Sequence, residues 1–312
     1  MIAVWIVLAL LLAAATGFGF YMARFSMTGK RQTLDQARAW QEKHYDLSWY
    51  DALEKQDYIV KSYDGYELHA QLARNPEPSD RYVIISHGYT DNRFGALKYG
   101  KIYLDLGFNL IVYDLRGHGL NAPTFCTYSV RESRDLLAMI DDSRRRWSGM
   151  AELGLHGESL GAATTVAVLK YAPAVDFAVA DCGFAEITPV LVGGLKAMKL
   201  PGWVVHLAGV CAKLRYGYSY GEMRPIDSLA ESQVPILFIH GAADDFITPD
   251  HSRRMFDAAR GEKQLVLIPG ASHAMSVLTN PRMYADAVGA FLEELRVKSG
   301  VRSEELGVRS EE

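Results

Sequence analysis

Chemistry concentrates first at Leu153-Gly154-Leu155-His156-Gly157-Glu158-Ser159-Leu160-Gly161-Ala162-Ala163. A short apolar run, a turn and an apolar stretch on to Leu169 read as strand, turn and helix. The spacing Gly157-x-Ser159-x-Gly161 fits a strained strand-to-helix turn that pushes a serine hydroxyl outward. Such a turn holds the serine in a sparsely populated backbone region, where flanking side chains would clash. Glycines at 157 and 161 remove those clashes. The hydroxyl then stands at a helix start, whose dipole favours developing negative charge.

A serine becomes a nucleophile near neutral pH only beside a base, and the base needs an orienting acid. Of the nine histidines, His273 is the best base. It follows a predicted strand in Pro269-Gly270-Ala271-Ser272-His273, among small neighbours that let the ring reach inward. His87 and His240 precede glycines at strand ends and suit loop bracing, and His118 beside Arg116 suits a structural turn. The acid should follow the preceding strand, where Gly241-Ala242-Ala243-Asp244-Asp245 offers two carboxylates. Asp244 is the chosen one, with Asp245 left to cap the next helix or face solvent. Asp114 and Asp181 also end strands, but too early for the order serine, acid, histidine. The oxyanion donors are expected to be the backbone N–H of Leu160, directly after the serine, and that of Tyr89.

The elements that must position these groups follow from hydrophobic patterning. Tyr58–Ser62 and Glu67–Leu72 alternate around Asp64-Gly65, a hairpin signal. Short apolar runs at 82–86, 109–114, 153–156, 177–181, 235–239 and 264–268 read as buried parallel strands. Helical patterns lie between them, at 92–106, 130–147, 249–260 and 281–297. Strands alternating with helices give an α/β fold with a mostly parallel central sheet covered on both faces. Function in such sheets gathers at the carboxyl ends of the strands, and His87, Asp114, Ser159, Asp181, Asp244 and His273 each follow an apolar run. The segment 184–232 breaks the alternation and is rich in bulky residues. It reads as a helical cap that builds an apolar pocket over the strand ends.

In combination, His87-Gly88-Tyr89-Thr90, Asp114-Leu115-Arg116-Gly117-His118-Gly119, Gly157-Glu158-Ser159-Leu160-Gly161, Asp181-Cys182-Gly183-Phe184, His240-Gly241-Ala242-Ala243-Asp244 and Gly270-Ala271-Ser272-His273 carry a resemblance. The chain resembles the α/β-hydrolase superfamily, in the serine esterase and aminopeptidase-like group and its Bem46-type bacterial branch. The resemblance covers about residues 58–297. It implies the α/β-hydrolase fold and a Ser159–His273–Asp244 triad, and says little about substrate. Glu158 is given no catalytic role.

The 312 residues are 49% hydrophobic, with a formal charge of −4, enough for one large domain plus appendages. Neither the charge nor the isolated Arg144-Arg145-Arg146 run suggests nucleic acid. Three cysteines, Cys126, Cys182 and Cys211, show no metal-ligand spacing, and no metal or organic cofactor is implied. Ile2–Tyr21 is uncharged and almost wholly apolar, long enough to cross a bilayer, with aromatics near its ends. A cleaved signal peptide ending near Ala13-Ala14-Ala15 competes, but no Lys or Arg precedes the apolar run. Residues 1–25 are therefore expected to be a retained transmembrane anchor and 26–57 a stalk or connector helix. The hydrolase domain is expected over 58–297, and 298–312 as a disordered tail. Arg24, Lys30 and Arg31 follow the span, which places the catalytic domain on the cytoplasmic side.

The expected function is cleavage of small-molecule acyl esters through an acyl-enzyme, because an apolar cap suits acyl chains. An amidase or peptidase with the same triad is the alternative, and a non-catalytic membrane-tethered binding protein is a more remote one.

Overall fold

Five-to-seven-residue apolar runs, too short for helices, have little choice but to pair edge to edge. The computed structural model, which describes residues 1–308, forms them into β1 (Lys55–Lys61), β2 (Glu67–Ala73), β3 (Arg81–Ser86), β4 (Asn109–Tyr113), β5 (Glu152–Glu158), β6 (Phe177–Asp181), β7 (Ile236–Gly241) and β8 (Lys263–Ile268). Among the described residues these make one eight-stranded sheet in the order β1-β2-β4-β3-β5-β6-β7-β8. The β1–β2 hairpin is antiparallel and joins β4 antiparallel; the remaining neighbours all pair parallel. Every residue of β4, β6 and β7 is buried, as a sheet covered on both faces requires. The edge strand β1 is mostly exposed and carries a lysine at each end, which discourages pairing with other chains.

The helices are α1 (Ile2–Met27), α2 (Leu34–His44), α3 (Ser48–Asp51), α4 (Leu97–Asp105), α5 (Val130–Arg146), α6 (Leu160–Val168), α7 (Ile187–Ala197), α8 (Val204–Tyr216), α9 (Asp250–Ala258), α10 (Ser276–Thr279) and α11 (Pro281–Val308). Alternation along the strands feeds two cores. Ile84, Ile111 and Leu155 pack with Leu136 of α5 and Val166 of α6 on one face. Val83, Ile85 and Val112 pack with Tyr99 of α4 and Tyr284 of α11 on the other. Each such buried side chain contributes about 1.5–3 kcal/mol relative to exposure.

Two sequence expectations are redrawn. The helix predicted over 92–106 begins as a 3-10 turn, Arg93–Ala96, before α4. The cause is Asp114, whose carboxylate accepts from the Arg93 N–H at 2.9 Å and from its guanidinium at 2.8 Å, fixing this turn against β4. At the other end, α11 runs on to Val308, into the segment predicted to be disordered; residues 309–312 lie outside the described residues. Extending an existing helix costs far less than nucleating one.

The segment between β6 and β7 holds α7 and α8 and covers the carboxyl ends of the strands. α1 divides in two. Residues 1–17 are exposed, whereas Gly19, Met22, Ala23 and Met27 are buried against the body of the protein. Gly19 permits the closest approach: a Cβ there would lie 2.7 Å from the Cys211 sulfur and 2.9 Å from Leu207, both on α8.

Candidate active site

Ser159 sits between β5 and α6 with φ +52°, in the left-handed region that a non-glycine residue adopts only under constraint. Its N–H donates to the Asp181 carbonyl at 2.8 Å, and its carbonyl accepts from Ala163 at 2.9 Å. The glycines have the roles expected. A Cβ on Gly157 would fall 2.2 Å from the Gly161 carbonyl oxygen, and one on Gly161 would fall 2.0 Å from the Ser86 carbonyl oxygen. No side chain fits at either position, because both obstacles are backbone.

His273 and Asp244 come from adjacent loops fastened to each other. Ala242 N–H donates to the Ile268 carbonyl at 2.8 Å and Ala243 N–H to the Ala271 carbonyl at 2.9 Å. The loops cross so closely that a Cβ on Gly241 would lie 2.4 Å from the Ala271 oxygen. The result is a continuous chain of polar contacts. Ser159 Oγ lies 3.0 Å from His273 Nε2, and His273 Nδ1 lies 2.7 Å from Asp244 Oδ2. With Nδ1–H donating to the carboxylate, Nε2 faces the hydroxyl as an acceptor.

Asp244 is buried and Asp245 is exposed, which separates the two adjacent carboxylates. The Asp244 Oδ1 accepts from the Phe246 and Ile247 N–H groups at 3.0 and 2.9 Å. Burial pushes this carboxyl up, but hydrogen bonds from His240 and His273 outweigh it and hold it well below the usual carboxylate range. It therefore stays ionised through the mildly acid range. The His273 side chain is 22% exposed and meets the Phe246 ring edge-on, at 5.1 Å between centroids.

The other strand-end residues brace loops. Burial drives the His87 ring down to about 4, so it is neutral; its Nδ1 donates to the Gly88 carbonyl and its Nε2 accepts from Leu115 N–H at 2.9 Å. His240 bridges Ser252 and the Ile247 carbonyl, each at 2.7 Å. Asp114 is taken up by Arg93 and by the Leu120 N–H. Leu160 is the first residue of α6, so its N–H lacks an intrahelical partner. Tyr89 follows β3 and lines the same cavity as Ser159.

Sequence reasoning missed a buried polar cluster directly behind the serine. The Lys98 ammonium on α4 pairs with the Glu158 carboxylate and donates to the Ala274 carbonyl at 3.2 Å. Tyr99 donates to Glu158 at 2.5 Å, and its oxygen lies 2.9 Å from Asp181. Burial alone would lower the lysine; the charge and hydrogen bond of Glu158 raise it, so it remains charged. Burial and the Glu158 charge push the Asp181 carboxyl up to about 6. Lys98 thereby links the residue before the serine to the residue after the histidine. The only sequence signal was a charged residue at 158 inside an otherwise apolar and small-residue run.

A cavity of about 420 Å³ reaches Ser159. The segment between β6 and β7 supplies apolar lining through Ile187, Val190 and Leu195. The unexpected wall is α1, which contributes Met22, Phe25 and Ser26. Its last turn is tied down at Ser26. The Ser26 carbonyl, near the helix end and short of intrahelical donors, accepts from Tyr89 at 2.9 Å and Tyr128 at 2.6 Å. The Ser26 hydroxyl meets the Tyr220 hydroxyl at 2.6 Å. Among the described residues no group of three or more His, Cys, Asp or Glu side chains is placed to hold a metal ion.

Comparison with known proteins places this architecture. The sequence profile described as the alpha/beta hydrolase family matches residues 82–287. The uncharacterized protein YqkD of Bacillus subtilis is 31% identical over 294 residues, covering 91% of this chain and 95% of that one. The uncharacterized protein Rv2307c of Mycobacterium tuberculosis is 25% identical over 250 residues, covering 77% of this chain and 80% of that one. Among solved structures, the esterase Pf2001 of Pyrococcus furiosus superposes with a TM-score of 0.67 at 22% identity, over 80% of this chain and 94% of its own. Est1E of Butyrivibrio proteoclasticus, with ferulic acid bound, gives 0.61 at 17% identity, over 77% and 99%. At those identities the two structures speak for the fold alone. Profile, relative and sheet topology agree, and the chain belongs to the alpha/beta hydrolase family.

Proposed function

We propose that the protein is a membrane-anchored serine hydrolase that cleaves carboxylic esters. The observation that carries this reading is the hydrogen-bonded chain from Ser159 through His273 to Asp244, with 3.0 and 2.7 Å links, at the floor of an apolar cavity. Ser159 Oγ attacks the acyl carbon while His273 Nε2 takes its proton. Asp244 orients the imidazole and stabilises its protonated form. The N–H groups of Leu160 and Tyr89 hold the oxyanion, each worth on the order of 3 kcal/mol of barrier. His273 then returns the proton to the departing alkoxide as the C–O bond breaks. Water, activated by the same ring, releases the acid and restores the serine.

Two features favour esters over an amino-terminal peptide substrate. The cavity lining is overwhelmingly apolar, and the described residues that line it include no carboxylate to receive an ammonium group. The solved neighbours whose names say esterase lend the same direction. The anchor is assigned to α1, with the catalytic domain on the cytoplasmic side, on the strength of its length, its apolarity and the cations that follow it.

The test is labelling with a fluorophosphonate probe together with turnover of nitrophenyl esters and aminoacyl anilides. Wild-type protein is expected to label and to prefer the esters. Ser159→Ala is expected to abolish labelling and to lower turnover by at least ~10³-fold. Faster turnover of the anilides would move the assignment to amide hydrolysis. Labelling that persists in Ser159→Ala would remove the proposed nucleophile.

A further inference from the structure

The cavity that reaches Ser159 is walled partly by the helix assigned to the membrane, and this bears on what enters it. α1 has 17 consecutive exposed residues, 1–17, before its packed portion begins. At about 1.5 Å per residue these span roughly 25 Å, close to the hydrocarbon thickness of a bilayer, about 30 Å. The catalytic body therefore sits against the membrane surface without a spacer. Met22, in the cavity wall, lies only a few residues past Gly17, on the order of 8 Å along the helix axis.

The rim points the same way. Phe25, Met198 and Phe246 all line the cavity, yet they are 51%, 47% and 53% exposed. They mark its mouth with apolar groups from three separate parts of the chain. Tyr21 stacks on Phe25 at 6.4 Å between centroids and is 60% exposed, an amphipathic ring one turn nearer the bilayer. On α8, which packs on α1, Val210 and Leu214 are exposed at helical spacing, in line with Trp203 at the helix cap. A water-soluble ester needs none of this; exposed apolar surface on this scale marks a contact site.

We infer that the substrate is a long-chain carboxylic ester resident in the bilayer, whose acyl chain passes from the membrane into the cavity along α1. The helix is then part of the binding site as well as the tether. The inference rests on the esterase reading of Ser159, His273 and Asp244. It also explains the three tyrosine contacts to Ser26, which hold the α1 wall in place beside the Tyr89 loop.

The experiment uses the full chain reconstituted into phosphatidylcholine vesicles. Nitrophenyl palmitate is supplied either in the same vesicles or in separate protein-free vesicles, with soluble nitrophenyl butyrate as the measure of catalytic competence. Palmitate in the same bilayer is expected to turn over at least ~10-fold faster than palmitate supplied in separate vesicles, because co-residence raises its effective concentration. Phe25→Asp, at the exposed rim, is expected to lower the palmitate-to-butyrate ratio of kcat/KM by about 10-fold, since a charge there opposes entry of an apolar chain. Butyrate turnover combined with equal palmitate rates from the two vesicle populations, or with an unchanged ratio in Phe25→Asp, overturns the inference and leaves the esterase chemistry intact. No turnover of either ester, together with no fluorophosphonate labelling, overturns both.

Discussion

Glu158 and Ser159 are chain neighbours with separate tasks. The serine faces the cavity; the glutamate turns back and pairs with Lys98, whose side chain is only 4% exposed. Removing one partner of a buried pair leaves a charge without compensation, which costs about 3–5 kcal/mol. Glu158→Gln is expected to lose that much stability in urea denaturation, and Glu158→Gln with Lys98→Met to recover a large part of it. A Glu158→Gln protein with wild-type stability would show that the pair contributes nothing. The contrast with the proposed triad explains what could be read beforehand. Ser159, His273 and Asp244 each stand after an apolar run, and their order along the chain is itself informative, so local pattern was enough to nominate them. Lys98 lies in the first turn of α4, 60 residues before its partner, and nothing near it in sequence marks it as buried. Pairings of that kind are settled by packing alone.

At the scale of elements, the turn from β5 into α6 depends on glycines for a steric reason. Gly161→Ala would press a methyl group into the Ser86 carbonyl, 2.0 Å from the new Cβ. Neither backbone can yield without moving β3 or the serine. A loss of ~3 kcal/mol or more is expected, with fluorophosphonate labelling reduced in whatever fraction still folds; thermal denaturation and labelling would measure the two effects. Strand positions were legible from apolar runs and turn residues, because burial on both faces leaves a simple pattern. Strand order was not. That β4 lies between β2 and β3 follows from a crossover that no local signal records. The helical segment predicted from 92 opens as a 3-10 turn for a related reason: Arg93 is held by Asp114, on a different strand end. Likewise, the apolarity of α1 was plain in the sequence, but the attachment of its last turn through Tyr89, Tyr128 and Tyr220 was not.

For the molecule as a whole, the fate of the exposed half of α1 decides whether the protein stays with the membrane, since the cavity wall at Met22, Phe25 and Ser26 follows it. The length and apolarity of α1, and the lack of a Lys or Arg before the apolar run, predict retention of the entire amino-terminal segment. Intact-mass measurement of protein from the membrane fraction is expected to find the uncleaved chain, resistant to alkaline extraction. A mature chain beginning after Ala15 would discard the span and argue for secretion. The Ser26–Tyr220 contact joins residues 194 positions apart. During synthesis the first helix therefore emerges long before Tyr220, the last of the three tyrosines that hold Ser26. On the proposed reading, Asp244 and His273 emerge later still, so the chamber would be walled before its triad is complete, and no partly made chain would be active.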